Sequence, residues 1–299
     1  MKQAFYLAGI LLTLASCSAP VRTESLQQRI EQIVATKRAD VGVSIAGLED
    51  DVALGLNIDK RYPMQSVFKF HIALAVLNEV DNGRLALNQQ VELKKSDLLP
   101  DTWSPLREKY GDGGVKIPLS EILQYTVAQS DNNGCDILLR LVGGTKPVDD
   151  YIHRIGVADF SIKANEEEMH KDWNVQFSNW TTPQATTELL KIFYDRKILS
   201  QSSFDFLWKT MIETTTGVNR IKGQLPAGTP VAHKTGTSGT NDEGISAAVN
   251  DAGIVTLPNG KHFAIAVYVS NSKENSETNE KIIAEISRAA WDYFVDRGE

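Results

Sequence analysis

Cysteine is nearly absent from this sequence: 299 residues hold only Cys17 and Cys135. One disulfide at most can form, which excludes a small domain stapled by bridges. Histidine is scarce as well, with His71, His153, His170, His233 and His262 scattered and never set as HExxH or another close pair. A zinc site built on histidine is therefore not expected, and neither is any other metal or cofactor. The chain also lacks a basic surplus. Its 31 Lys and Arg stand against 38 Asp and Glu, a formal charge of −7, with no long Lys/Arg run. Phosphate binding needs clustered cations, so nucleic acid is excluded as a partner. Nor is there an apolar run of the roughly 20 residues that span a bilayer. What is present is the balance of an ordinary soluble globular protein, 42% hydrophobic and 23% charged. Its length suffices for one large domain or two interlocked ones.

Residues 1–16 read as an export signal. Lys2 supplies a basic start, and Ala4 to Ala15 is an apolar stretch too short to span stably. The segment ends Leu14-Ala15-Ser16-Cys17, which resembles the bacterial lipobox, whose cysteine is lipidated and becomes the new N-terminus. An ordinary signal peptide with a cysteine near its end is the alternative. With Cys17 lipidated, Cys135 has no partner. The expectation is an exported, periplasmic monomer, anchored to a membrane if Cys17 is modified, with residues 17–24 as a polar tether.

Beyond Ser25, a possible N-cap, the apolar residues Leu26, Ile30, Ile33 and Val34 keep helical spacing. Val41–Leu48 alternates as a strand, and Glu49–Asp51 turns it into a second strand over Val52–Asn57. Val67–Val80 is apolar almost all round and ends at Asn82-Gly83, which predicts a helix buried at the centre of a domain. Helices are also predicted over Leu119–Val127, Asn133–Val142, Pro147–Ile155, Pro183–Tyr194 and Ser202–Glu213. Between them, Asn165–Trp180 is polar and aromatic without clean periodicity and reads as a long functional loop. Strand patterns return at Val231–Thr237, Ile245–Leu257 and His262–Ser270, the last two joined by the turn Pro258-Asn259-Gly260, before a final helix from about Glu280 to Phe294. The organisation expected is an α/β domain from residues 25–60 and 218–299, an antiparallel sheet flanked by terminal helices. An all-helical domain, residues 61–217, is inserted into it, with the active site between the two.

Three short motifs carry chemistry. Ser66 and Lys69 open the buried helix, and side chains three apart share a face, so the amine can reach the hydroxyl. Unpaired N–H groups at that helix start can stabilise an oxyanion. A second Ser-x-x-Lys, Ser270/Lys273, has no buried helix behind it and reads as solvated loop. Ser130-Asp131-Asn132 lies between helices, where a hydroxyl and an amide suit proton relay and recognition of a substrate amide; a plain turn and helix cap is the bland account. Lys234-Thr235-Gly236-Thr237 ends a strand, where an ammonium and two hydroxyls can hold a carboxylate and Gly236 lets backbone approach closely. Each is weak alone. Together, in this order and context, they are specific.

On these motifs the chain resembles the class A serine β-lactamases. The resemblance implies the two-domain α+β fold shared with penicillin-binding proteins, and hydrolysis of β-lactam antibiotics. In that family a Glu on the long loop activates the deacylating water. Glu166 occupies that place in Asn165-Glu166-Glu167-Glu168-Met169-His170, with Glu168 next if the register shifts. The loop departs from the commonest pattern. Ala164 and Asn179 replace an Arg–Asp pair that pins it, His170 stands where an Asn helps hold the water, and Asp136 stands where an Asn supports the loop. These departures, with Glu213–Gly217 and Val231–Ser238, resemble the PER- and VEB-like extended-spectrum branch, whose differently folded loop goes with a roomier site. The resemblance also implies that Arg220 supplements Lys234 in holding the substrate carboxylate, and that Trp103 walls the pocket entrance; a surface Arg and a packing Trp are the bland alternatives. Gln65 and Ser238 flank the site where some carbapenem-hydrolysing relatives carry a disulfide, and neither is Cys.

The mechanism implied has Ser66 as nucleophile and Glu166 or Lys69 as acylation base. The N–H groups of Ser66 and Thr237 form the oxyanion pocket, Ser130 is the proton relay to the lactam nitrogen, and Asn132 binds the acylamide. Lys234, Thr235, Gly236 and Thr237 take the carboxylate. Two other readings stay open from the sequence: a D-Ala-D-Ala carboxypeptidase, and a non-catalytic lipoprotein that senses β-lactams or peptidoglycan fragments.

Overall fold

The computed structural model describes residues 25–298; the signal segment, Cys17 and the tether lie outside the described residues. Ser25 caps α1 (Leu26–Val34) through a capping box with Gln28, and the chain passes into the hairpin β1 (Asp40–Gly47) and β2 (Ala53–Leu56). A two-residue strand β3 (Tyr62–Pro63) leads through a 3-10 turn at Gln65–Val67 into α2 (Phe68–Asp81). There follow β4 (Gln90–Leu93), α3 (Pro105–Tyr110), β5 (Val115–Pro118), α4 (Leu119–Ala128), α5 (Asn132–Val142) and α6 (Thr145–Arg154). Then come β6 (Phe160–Ser161), α7 (Glu166–Lys171), β7 (Trp180–Thr181), α8 (Pro183–Tyr194) and α9 (Gln201–Ile212). The chain closes with β8 (Val231–Thr237), β9 (Ser246–Thr256), β10 (His262–Ser272) and α10 (Ser276–Gly298).

The main sheet is antiparallel in the order β2-β1-β10-β9-β8, so the last strands pair with the first and β8 forms an edge. Alternation along β10 sorts its side chains into two cores. Phe263, Ile265, Val267 and Val269 pack with Ile30 of α1 and Ile282, Ile286 and Phe294 of α10. Ala264, Ala266 and Tyr268 point the other way, into the helical core around α2. The small residues on that face let helix α8 lie against the sheet. α2 is buried without a break from Phe68 to Leu77, as its all-round hydrophobicity predicts, and Lys69 and His71 are the polar side chains carried inside with it.

Four expectations need correction. Residues 61–217 are not all helical: β4 pairs with β5, and β3, β7 and β6 form a small three-stranded sheet. Asn165–Trp180 is not featureless, since it folds as α7, a 3-10 turn at Val175–Ser178 and the start of β7. Ser270 is no loop residue; it is buried in β10 and donates to the Ala247 carbonyl at 2.7 Å. Finally, α10 extends beyond Glu280–Phe294 at both ends. Among the described residues no helix is long and apolar enough to cross a membrane.

Candidate active site

Ser66 sits in the 3-10 turn directly ahead of α2, and the preceding residue, Gln65, holds a left-handed φ of 47°. A non-glycine residue there is strained and is kept so only by its surroundings. Two side chains from elsewhere in the fold hold the turn. Gln65 Nε2 donates to Gln176 Oε1 at 2.5 Å, and Asn250 Nδ2 of β9 donates to the Pro63 and Met64 carbonyls at 2.8 and 3.2 Å. β8 presses against the same turn at Gly236. A Cβ there would stand 2.4 Å from the Met64 oxygen and 3.3 Å from the Ser66 nitrogen, so only glycine lets the strand come this close.

Lys69 lies one helical turn beyond Ser66 and is fully buried. Its Nζ donates to Ser66 Oγ at 2.9 Å, the Ser130 carbonyl at 2.8 Å and Asn132 Oδ1 at 2.5 Å, and pairs with Glu166 Oε1 at 2.8 Å. Four oxygens around one ammonium satisfy a charge that burial alone makes costly. Ser130 also has a left-handed φ, 61°, in the connection between α4 and α5. Asp131 caps α5 through the Gly134 amide and accepts from Ser104 and from the Leu106 amide. Burial raises the Asp131 carboxyl, while those hydrogen bonds oppose the rise. Thus the turn-and-cap role and the placing of Ser130 and Asn132 are the same structure.

From the sheet side, Lys234 Nζ donates to Ser130 Oγ at 2.9 Å. Burial and the neighbouring Lys69 charge push its ammonium well below the usual lysine range. A lysine so lowered can pass a proton to a hydroxyl partner. Thr235 Oγ1 is 2.6 Å from Thr216 Oγ1. Arg220 is buried rather than a surface residue: it donates to the Gly236 and Asn250 carbonyls at 3.1 and 2.9 Å and to Thr237 Oγ1 at 2.8 Å, and pairs with Glu280 of α10 at 3.2 Å. Ser66, Ser130, Asn132, Arg220, Thr235 and Thr237 line one cavity of 230 Å³.

The loop carrying Glu166 is held without the missing ion pair. Asn179, fully buried, accepts from the Lys163 and Ala164 amides at 2.8 and 2.9 Å and donates to the Ala164 carbonyl at 2.8 Å. Asp136, projecting from α5, accepts from the Glu166 and Glu167 amides at 2.8 and 3.0 Å, capping the start of α7 with a negative charge. Burial, reinforced by the Glu166 charge, raises the Asp136 carboxyl to about 6. Glu166 is buried and faces Lys69, whereas Glu167 and Glu168 are solvent-exposed.

Between this loop and the end of β8 opens a cleft of 560 Å³, its walls including Gln65, Trp103, Asn132, Glu166, His170 and Thr237. His170 is exposed on that wall. Trp103 is 57% exposed at the rim, tied by Nε1 to the Gln129 carbonyl at 2.9 Å. Sequence reasoning missed several residues of the assembly. Thr102 accepts from Asn132 Nδ2 at 2.7 Å, and Thr216, Asn250 and Glu280 act as described. The signal for Asn250 was present: Asn250-Asp251 interrupts an otherwise apolar strand and must meet polar partners there. Among the described residues no group of three His, Cys, Asp or Glu could hold a metal ion.

Comparison with known proteins identifies the family. A model described as the beta-lactamase enzyme family matches residues 25–294. Beta-lactamase VEB-1 of Pseudomonas aeruginosa is 51% identical over 92% of both chains. Extended-spectrum beta-lactamase PER-1 of the same organism is 44% identical over 96% of this chain and 93% of its own. The crystal structure of TLA-1 extended spectrum beta-lactamase superposes with a TM-score of 0.89 at 60% identity, covering 90% of this chain and 98% of that one. The chain belongs to the beta-lactamase enzyme family, as a class A serine β-lactamase of the two-domain fold.

Proposed function

We propose that the protein hydrolyses β-lactam antibiotics, extended-spectrum cephalosporins included, through an acyl-enzyme on Ser66. The observation that carries this reading is Lys69, whose Nζ touches both Ser66 Oγ, at 2.9 Å, and Glu166, at 2.8 Å. Ser66 attacks the lactam carbonyl while its proton passes to Glu166, through water or through Lys69. The Ser66 and Thr237 amides bind the oxyanion. Ser130, replenished by Lys234, protonates the departing nitrogen. Asn132 binds the acylamide group, and Lys234, Thr235, Thr237 and Arg220 bind the carboxylate, with Gly236 giving them access to Ser66. The Ser66 proton held by Glu166 then passes through Lys69 to the Ser130–Lys234 relay, which protonating the nitrogen had left one proton short. Glu166, ionised again, takes a proton from water as the water attacks the ester, and gives it to Ser66 Oγ as the acyl bond breaks. The 560 Å³ cleft beside His170 and Trp103 supports acceptance of bulky acyl groups, as does likeness to relatives named as extended-spectrum enzymes. Export to the periplasm, as the N-terminal segment suggests, fits this activity, since β-lactam drugs meet the cell from outside.

The test is direct. Glu166→Ala is expected to accumulate a stable acyl-enzyme, read by mass spectrometry as an added drug mass, while wild type turns over. Ser66→Ala should form no adduct. Unimpaired turnover in the Glu166 variant would remove Glu166 as the base. Rapid acylation of the wild type by nitrocefin with only slow release would point instead to a carboxypeptidase. Failure to acylate would point to a sensor.

A further inference from the structure

His233 and Asp251 are fully buried and have no role in the scheme above. β8 and β9 place Thr235 opposite Asp251 and His233 opposite Gly253. Side chains on one face repeat every second residue, so His233 and Asp251 form a diagonal pair on a shared face. His233 Nδ1 lies 2.9 and 3.0 Å from the two carboxylate oxygens. Gly253 provides the space, since a Cβ there would stand 2.6 Å from the Cβ of His233. The same carboxylate accepts from the Ile221 amide at 3.2 Å, and Ile221 follows Arg220 directly. Asp251 therefore ties, from behind, the strand that carries Lys234 to the turn that carries Arg220.

Charge points the same way. Burial first, and then the Lys69 charge, push Lys234 down; among the groups that pull it back, Asp251 acts ahead of Glu166. The groups facing Lys234 are Lys69 from α2, Ser130 from the α4–α5 connection, Glu166 from α7, Arg220 ahead of β8 and Asp251 from β9. On the sheet side, Asp251 is an anion that offsets the charge on Lys234, while Glu280 pairs with Arg220.

We propose that Asp251, held by His233, is a positioning residue for carboxylate capture. It fixes Lys234 and Arg220 in place and keeps their positive charge directed at the substrate. It touches neither substrate nor reacting atoms. The inference rests on the reading that Lys234 and Arg220 receive the substrate carboxylate.

The test uses nitrocefin, which carries the cephalosporin carboxylate. Asp251→Asn should raise KM about tenfold, change kcat by less than about threefold, and move the alkaline limb of kcat/KM down by about one pH unit. His233→Leu, which deletes the donor, should show the same split. His233→Asn, whose amide can stand in for Nδ1–H, should recover most of it. Should Asp251→Asn fail to fold, the two His233 variants decide by the same readouts. An unchanged KM and pH limb in folded Asp251→Asn would overturn the proposal, as would His233→Leu and His233→Asn behaving alike. Arg220→Ala is the control. If it raises KM while Asp251→Asn does not, only the positioning role fails; if it leaves KM unchanged, the carboxylate reading itself fails.

Discussion

Arg220 shows how much one side chain can be asked to do. Its guanidinium satisfies two carbonyls and the Thr237 hydroxyl while facing the substrate cavity, and Glu280 holds its Nε. Replacement by alanine leaves those acceptors unpaired and removes a charge-assisted contact. KM for a carboxylate-bearing lactam should rise about 10- to 100-fold, as loss of a charged hydrogen bond implies. Glu280→Gln keeps an acceptor but not the charge, and its rise should be near threefold, within the range for a partly exposed pair. Steady-state kinetics on the two variants checks both. At this scale the site was legible where its logic is local. Ser66 and Lys69 meet because they are three residues apart on a helix. Asn250 announces a need for polar partners by breaking an apolar strand, but not which: the Pro63 carbonyl it meets lies 187 residues earlier in the chain. No spacing rule reports such a contact.

α7 carries Glu166, the base of the proposed deacylation, and it has only six residues. Fewer than two turns cannot display a 3.6-residue period, so the sequence read as loop although Asn165 and Glu168 form a capping box there. Its attachment is electrostatic, through Asp136, and this makes opposite demands on stability and activity. The Asp136 carboxyl titrates near 6 in the fold, above its ordinary value of 3.8. A group raised in this way contributes its stability below the unfolded value, and that contribution is lost as pH rises through about 6. Acidification from about 6 to 4 should therefore favour the fold at this residue. The same protonation replaces an acceptor of the Glu166 or Glu167 amide by a hydroxyl, so deacylation should fall over that interval. Measured against Asp136→Asn, wild type should gain relative stability in denaturant titrations between pH 6 and 4 while its single-turnover deacylation rate drops. Parallel movement of the two would contradict the account.

Across the whole molecule the buried cations Lys69, Lys234 and Arg220 sit together inside a body of net charge −7, which concentrates positive charge at the proposed carboxylate site. Acid sensitivity has its own buried source. His71, within α2, is held neutral by burial, which lowers it from 6.5 to about 4 despite a bond with the Val67 backbone. A lowered histidine contributes stability above pH 6.5 that is lost as pH falls through about 4. Denaturation curves of wild type should steepen toward acid across that window, and His71→Leu should flatten them; an identical acid limb would exclude His71 as the cause. The interlocked layout was readable because strand patterns occur at both ends and helices between. The small strand pairs of the helical part were not, because two- to four-residue strands carry no alternation to read. That layout bears on how the protein is made. β1 finds its central partner only in β10, more than 200 residues later by the register Asp40↔Ser270. A chain emerging from a ribosome cannot close the five-stranded sheet, and can set no Lys234 beside Ser130, until nearly all of it has appeared. Such long-range pairing is slow, and the nascent chain has no formed active site until its synthesis is almost complete.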